Sequence, residues 1–121
     1  MFKDCGMVVV DKGNSATGPV TFDYTAGSVQ KLTCTGNFTW SISNWPPAGN
    51  LGVMKLRLAN AGAYTLTPPT INWIKPDGST TTNFSDYLGA NGTRTALQSA
   101  GEDEIVLWTE DAGVTVKGKL V

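Results

Sequence analysis

Apolar and polar positions alternate with a period of two along most of this chain. Val20, Phe22 and Tyr24 alternate with Thr21 and Asp23, and Leu32 and Cys34 with Lys31, Thr33 and Thr35. Phe38, Trp40 and Ile42 alternate with Thr39, Ser41 and Ser43; Met54, Leu56 and Leu58, separated by Lys55 and Arg57, form the cleanest run. Successive strand side chains point to opposite faces, so each segment has one dry and one wet side. Between the runs stand Gly, Pro and Asn clusters such as Gly36-Asn37, Pro46-Pro47-Ala48-Gly49-Asn50, Asn60-Ala61-Gly62 and Pro76-Asp77-Gly78, which tight reversals require. The pattern predicts strands near 7–10, 20–24, 29–35, 38–43, 53–59, 63–67, 71–74, 104–110 and 114–120. That spacing points to an all-β protein: an antiparallel β-sandwich, jelly-roll-like, with about eight or nine short strands and little or no helix. A single domain over 1–121 is expected, without linker or internal repeat.

Three segments stand apart. Residues 1–10 are a candidate N-terminal arm reaching a neighbouring subunit. The stretch 75–103 lacks a clear strand and is long for a loop in a compact domain. Its Phe84 and Tyr87 suggest either packing by its own side chains, with one helical turn at 85–88, or contact with a partner. At the C-terminus, a three-residue loop Asp111-Ala112-Gly113 sets Glu110 opposite Val114. Val106, Trp108, Val114 and Val116 then form the core face, and Ile105 and Leu107 share the other face with Lys117 and Lys119. A strand apolar on both sides is either covered twice or presents an adhesive outer surface. Ile105, Leu107, Lys117 and Lys119, with Phe84 and Tyr87, are therefore the candidate interface residues.

Composition narrows the chemistry. Nine Lys and Arg against ten Asp and Glu leave a net charge of −1, so the cationic excess that phosphate neutralisation needs is missing and nucleic acid is not an expected partner. No apolar run is long enough to span a bilayer, and Met1–Gly6 lacks a secretory apolar core; no membrane association is expected. There is no histidine, which removes the commonest general base and transition-metal ligand. Glu102, Asp103 and Glu104 are adjacent, but strand neighbours alternate sides and converge poorly on one cation. Catalytic, cofactor-binding and metal-binding residues are thus all expected to be none, and no cofactor is expected. Cys5 and Cys34 read as buried thiols in a reducing compartment. The triplets at Asn37, Asn83 and Asn91 would be glycosylation acceptors only in a secreted chain.

Four tryptophans carry what recognition chemistry remains. Trp40 and Trp108 fall on expected core faces. Trp45, in Asn44-Trp45-Pro46-Pro47, and Trp73, before Lys75-Pro76-Asp77-Gly78, end strands. Rim aromatics cap a core, anchor a protein interface or stack on a sugar. Trp45 and Trp73 are therefore the candidate stacking residues, with Asn44, Asn72 or Asp77 as hydroxyl partners.

One series of segments resembles a known module. It comprises Gly36-Asn37-Phe38-Thr39-Trp40-Ser41-Ile42-Ser43-Asn44 leading to Pro46-Pro47-Ala48-Gly49, then Gly62–Pro68, Ile71-Asn72-Trp73, and Asp103–Gly113 followed by Gly118. Over roughly 20–121 this is similar to a β-sandwich module of tailed-bacteriophage virion proteins, found in tail fibres and baseplates and sometimes alone. Asp111-Ala112-Gly113 stands where that module carries Asp-Gly-Gly, and 75–103 is longer than usual. The resemblance implies an architectural, non-enzymatic role and no catalytic residue. It implies a virion protein assembled in the bacterial cytoplasm, a capsid decoration (cement) or head-fibre protein forming a homotrimer and binding the major capsid protein or other virion proteins. The alternative is a carbohydrate-binding receptor-recognition module of a tail fibre or baseplate, contacting a host-surface glycan.

Overall fold

The computed structural model describes residues 8–14, 19–90 and 97–120. Most of the expected arm, with Cys5, and residues 91–96 of the long loop lie outside them. Strands take 47% and helical segments 12%, so the chain is strand-dominated, as the period-two pattern requires. In chain order the strands are β1 (Val9–Asn14), β2 (Val20–Asp23), β3 (Val29–Thr33), β4 (Phe38–Ser43), β5 (Gly52–Ala59), β6 (Leu66–Thr67), β7 (Asn72–Ile74), β8 (Thr80–Thr81), β9 (Glu102–Thr109) and β10 (Lys117–Leu120). Among the described residues one α-helix, α1 (Phe84–Ala90), and two single 3-10 turns, Tyr24–Ala26 and Ala61–Ala63, interrupt them.

Two sheets enclose the core. The larger runs β1-β3-β5-β9-β10-β7-β8 and the smaller β2-β4-β6. Pairing is antiparallel at β5–β9, β9–β10 and β7–β8, but parallel at β1–β3, β3–β5, β2–β4, β4–β6 and β10–β7. The expected all-antiparallel arrangement is therefore corrected to a mixed one. From β1 to β6 the chain alternates between sheets at every connection, so consecutive strands never pair. The strand that returns to a sheet two elements later runs in the original direction.

Burial follows the alternation. Phe22, Met54, Leu56, Leu58, Ile71, Trp73, Ile105 and Leu107 are at most 1% exposed. Val20 and Phe22 from β2, and Phe38 and Trp40 from β4, face them from the smaller sheet, all in one cluster. Phe22 meets Trp40 edge to face at 5.9 Å, a preferred aromatic geometry. Cys34 is a buried free thiol, and burial pushes it up to about 11, which makes it inert rather than reactive. Buried Gln30 donates to the carbonyls of Asp23 and Gly27 at 2.7 and 3.0 Å, tying the turn after β2 to β3.

The expected faces of β9 are inverted, while Val116 is buried and Lys117 and Lys119 are exposed, as expected. Trp108 pairs with Lys117 and Leu107 with Gly118, one residue away from the register that a three-residue loop imposes. A slip of one residue exchanges the two faces of a strand. Ile105 and Leu107 are core residues, not interface residues; Val106 and Trp108 face outward, half-buried, beside Lys117 and Lys119. Charge explains the choice. Glu102 and Glu104 share the parity of Val106 and Trp108, so the expected face would have carried both carboxylates inward. Facing outward, they meet Arg57 at 2.7 and 3.5 Å and Lys55 at 3.9 Å. Opposite charges across a strand pair stabilise it modestly, whereas unpaired buried charge is prohibitive.

The 75–103 stretch is ordered around Trp73 where it is described. Asn83 caps α1, its side chain accepting from the Asp86 N–H at 3.0 Å, as Asn does at helix starts. Phe84, Tyr87 and Leu88 then recur at helical spacing. Phe84 and Tyr87 lie 4.6 and 5.4 Å from the Trp73 ring, and the Tyr87 hydroxyl accepts from the Leu120 N–H at 2.7 Å. Tyr87 is 2% exposed and Phe84 half-buried, so both dock α1 on the core instead of forming an outer interface. The Trp73 indole N–H is buried without a hydrogen-bond partner among the described residues.

Two substitutions test this packing. A Cβ on Gly118 would approach Leu107 Cδ2 at 2.8 Å and Trp73 Cζ3 at 2.9 Å. Gly118→Ala is therefore expected to destabilise by about 1–3 kcal/mol through overpacking, read as a lower urea midpoint. Leu107→Asp is expected to unfold the chain, because it buries an unpaired carboxylate; a cooperative native melt for that variant would contradict the observed register.

Candidate functional sites

Two surfaces draw the non-core aromatic side chains together. The first is the outer face of the large sheet, where Val53, Trp108 and Lys117 stand in one row across β5, β9 and β10. Lys55, Val106 and Lys119 form the next row. Strand alternation puts all six on the outer side of the sheet, where Val53, Val106 and Trp108 are half-buried. Arg57 and Lys55 are engaged by Glu102 and Glu104. Lys117 and Lys119 make no ion pair among the described residues, and Lys117 shares a shallow depression with Trp108, Glu110 and Asp111, so charges of both signs border the strip. Asn72 flanks Lys117 from β7. Of the six interface candidates, Lys117 and Lys119 lie here; Ile105, Leu107, Phe84 and Tyr87 pack on or in the core instead. Val53, Val106 and Trp108 take the place expected for Ile105 and Leu107. The parity of Glu102 and Glu104 was the signal in the sequence that could have located them.

The second surface is a cleft of about 390 Å³ between the end of β4, Pro69-Thr70 and the 112–116 loop. Trp45 lines it. Its ring centroid lies 5.4 Å from that of Tyr24, and Gly113 abuts its pyrrole atoms so closely that a Cβ would collide with the ring. Asn44 takes the left-handed conformation, φ 61°, unusual outside glycine, and donates to Asp23 Oδ1 at 3.0 Å. The same oxygen accepts from the Thr25 N–H at 2.9 Å and hydroxyl at 2.6 Å. These bonds, Thr25 first and Asn44 next, hold the Asp23 carboxyl below its ordinary range. Val114, expected in the core, is 86% exposed at the cleft. Trp73, the other stacking candidate, is fully buried and unavailable to a ligand; Asp77 lies in a separate turn, accepting from Ser79.

The loop joining β9 and β10 shapes both surfaces. Thr109 Oγ1 sits at its centre, 2.9 Å from the Thr115 carbonyl and 2.9 Å from Asp111 Oδ1, and accepts from the Gly113 N–H at 3.0 Å. Asp111 Oδ1 accepts from the Thr115 N–H at 2.8 Å. The Thr115 N–H first, and the Thr109 hydroxyl next, keep the Asp111 carboxyl below its ordinary range. Ala112 and Gly113 both have positive φ, 59° and 87°, within a connection that runs from 110 to 116 rather than the expected three-residue turn. Among the described residues, no three His, Cys, Asp or Glu converge as metal ligands, and no helix is long and apolar enough to cross a membrane.

Thr109→Val, which keeps the shape but leaves the Gly113 N–H without its acceptor, is expected to destabilise by about 1–3 kcal/mol. The loss is measurable by denaturant titration. The carboxylates predict a pH dependence. Asp23 and Asp111 are lowered from 3.8 in the folded chain, so the unfolded chain binds protons first on acidification. Their contribution is present above 3.8 and is lost as pH falls through the lower folded values. Thermal midpoints are expected to drop in that acid window, and Asp23→Asn or Asp111→Asn to flatten the drop; parallel acid limbs in variant and parent would refute the assignment.

Comparison with family models, with curated proteins and with solved structures finds no significant match to this chain.

Proposed function

We propose that this protein is a structural, non-enzymatic component of a tailed-bacteriophage particle, a capsid decoration (cement) or head-fibre protein. It assembles in the bacterial cytoplasm, self-associates as a homotrimer and binds the major capsid protein or another virion protein through the outer face of its large sheet. The observation that carries the reading is the half-buried Trp108 with Val53 and Val106 on the water side of the central strands. A sheet face that meets only solvent is ordinarily polar; a contiguous apolar strip with a charged border marks an association surface. Tryptophan is the residue most often found at the energetic centre of such contacts. Lys117 and Lys119, which make no ion pair among the described residues, and Glu110 and Asp111 beside Trp108 give the strip a border of both signs. The resemblance of the 36–49 and 103–113 segments to phage virion modules supplies the biological setting, and closed symmetry the expected stoichiometry.

Sedimentation of the isolated protein tests self-association. An oligomer is expected. Trp108→Asp is expected to weaken it by at least about 2 kcal/mol, roughly thirtyfold, with circular dichroism and melting unchanged because the side chain lies outside the core. A monomer persisting at about 1 mM, where a contact worth ~4 kcal/mol is half-populated, would overturn the self-association. Peptide mass spectrometry of intact and tail-stripped particles tests the virion assignment, and absence from both would remove it.

A further inference from the structure

We infer that the Trp45 cleft is a binding site for a single ring of a neutral, hydroxyl-rich sugar. The cleft's size, about 390 Å³, lies within the range of small-ligand sites. Its walls are mixed in the way a pyranose requires. Trp45, Pro69 and Val114 offer apolar surface to a ring's C–H face, and Ser41, Asn44 and Thr70 offer uncharged donors and acceptors to its hydroxyl rim. None of the lining residues carries a formal charge. A sugar acid or a phosphate would enter without a counter-ion, with the Asp23 carboxylate behind Asn44, whereas a neutral polyol leaves no charge unpaired.

The site is also held in shape before any ligand arrives. Trp45 is fixed by Tyr24 and by Gly113, where only a residue without a Cβ leaves room for the indole. Asn44 is kept in its left-handed backbone conformation by the bond to Asp23, and Asp23 is in turn locked by Thr25. A strained polar residue whose side chain is anchored from behind, next to an aromatic wall, is an arrangement that concentrates at ligand sites. Such preorganisation reduces the ordering cost of binding. The cleft takes no residue from the Val53–Trp108–Lys117 strip, so ligand binding here and association there stand or fall separately.

Indole N–H resonances of ¹⁵N-labelled protein provide the test, with the Trp45 signal assigned through Trp45→Phe. The probes are the methyl glycosides of glucose, galactose, mannose and N-acetylglucosamine, with N-acetylneuraminic acid as the anionic comparator. At least one neutral glycoside is expected to shift the Trp45 signal saturably while leaving Trp73 unmoved, and the anionic sugar to have no effect. Val114→Glu puts a carboxylate at the mouth of the cleft on a side chain that is 86% exposed, so the fold is kept. Binding is expected to weaken about tenfold or more, ~1.4 kcal/mol. Absence of any shift at concentrations well above about 1 mM, equal binding of the anionic sugar, or unchanged binding in the Val114→Glu variant would each overturn the proposal.

Discussion

The pleat of β9 governs this molecule. Strand β9 is central in the large sheet, paired with β5 on one side and β10 on the other, so its alternation sets the faces of both neighbours. Ile105 and Leu107 go inward against Leu56 and Met54; Val106 and Trp108 go outward. Both faces are apolar enough to be buried, so hydrophobicity alone does not choose between them. Glu102 and Glu104 make the choice, because they find Arg57 and Lys55 only on the water side. Asp103, the acid that does point inward, is 1% exposed and accepts from the Gln98 N–H at 2.6 Å. A few electrostatic contacts, each small on a surface, thus decide which of two hydrophobic faces is sealed, because the alternative buries two carboxylates.

That decision passes into the surface. Once Leu107 is inside, β10 must place Gly118 beneath it, since any larger side chain there would press on Leu107 and Trp73. Lys117 and Lys119 are then outward by parity, both on the β10 side of the Trp108–Val106 strip. The longer loop between the strands, residues 110–116, contains two positive-φ positions and is held by the bonds of Thr109. The same loop carries Gly113 against Trp45 and leaves Val114 in solvent at the cleft. One register choice therefore produces both the outward Val53–Trp108–Val106 strip and the wall of the Trp45 cleft, which share no residue.

The interleaving of the two sheets has its own logic. Short connections carry the chain across the core after each of the first five strands, so every early strand is paired with one two elements away. Val9 lies beside Val29 and Val20 beside Trp40, twenty positions apart in both cases, while the next turn spans 26 and 28 positions. The unequal lengths hide this coiling from any search for repeats. Parallel pairing follows from the crossing and not from the composition of the strands, which read the same in either direction.

Local residues determined a good deal by themselves. The positions of β2 through β5 and of β7, the inward residues Val20, Phe22, Leu32, Phe38, Trp40, Met54, Leu56 and Leu58, and the strand-rich class were legible, because period-two alternation and Gly or Pro turns act over a few residues. Asn83 followed by Phe84, Tyr87 and Leu88 also carried the signal for α1, although the surrounding Thr and Gly obscured it. Pairing partners, the parallel arrangement, the burial of Trp73 beneath α1 and the outward turn of Trp108 were settled only in three dimensions. Each depends on which distant group faces a given side chain: Arg57 opposite Glu104, Leu107 opposite Gly118, Tyr87 against Trp73. A one-dimensional pattern records that a residue is apolar, but burial is an energy shared with a partner whose place the chain fixes only by folding.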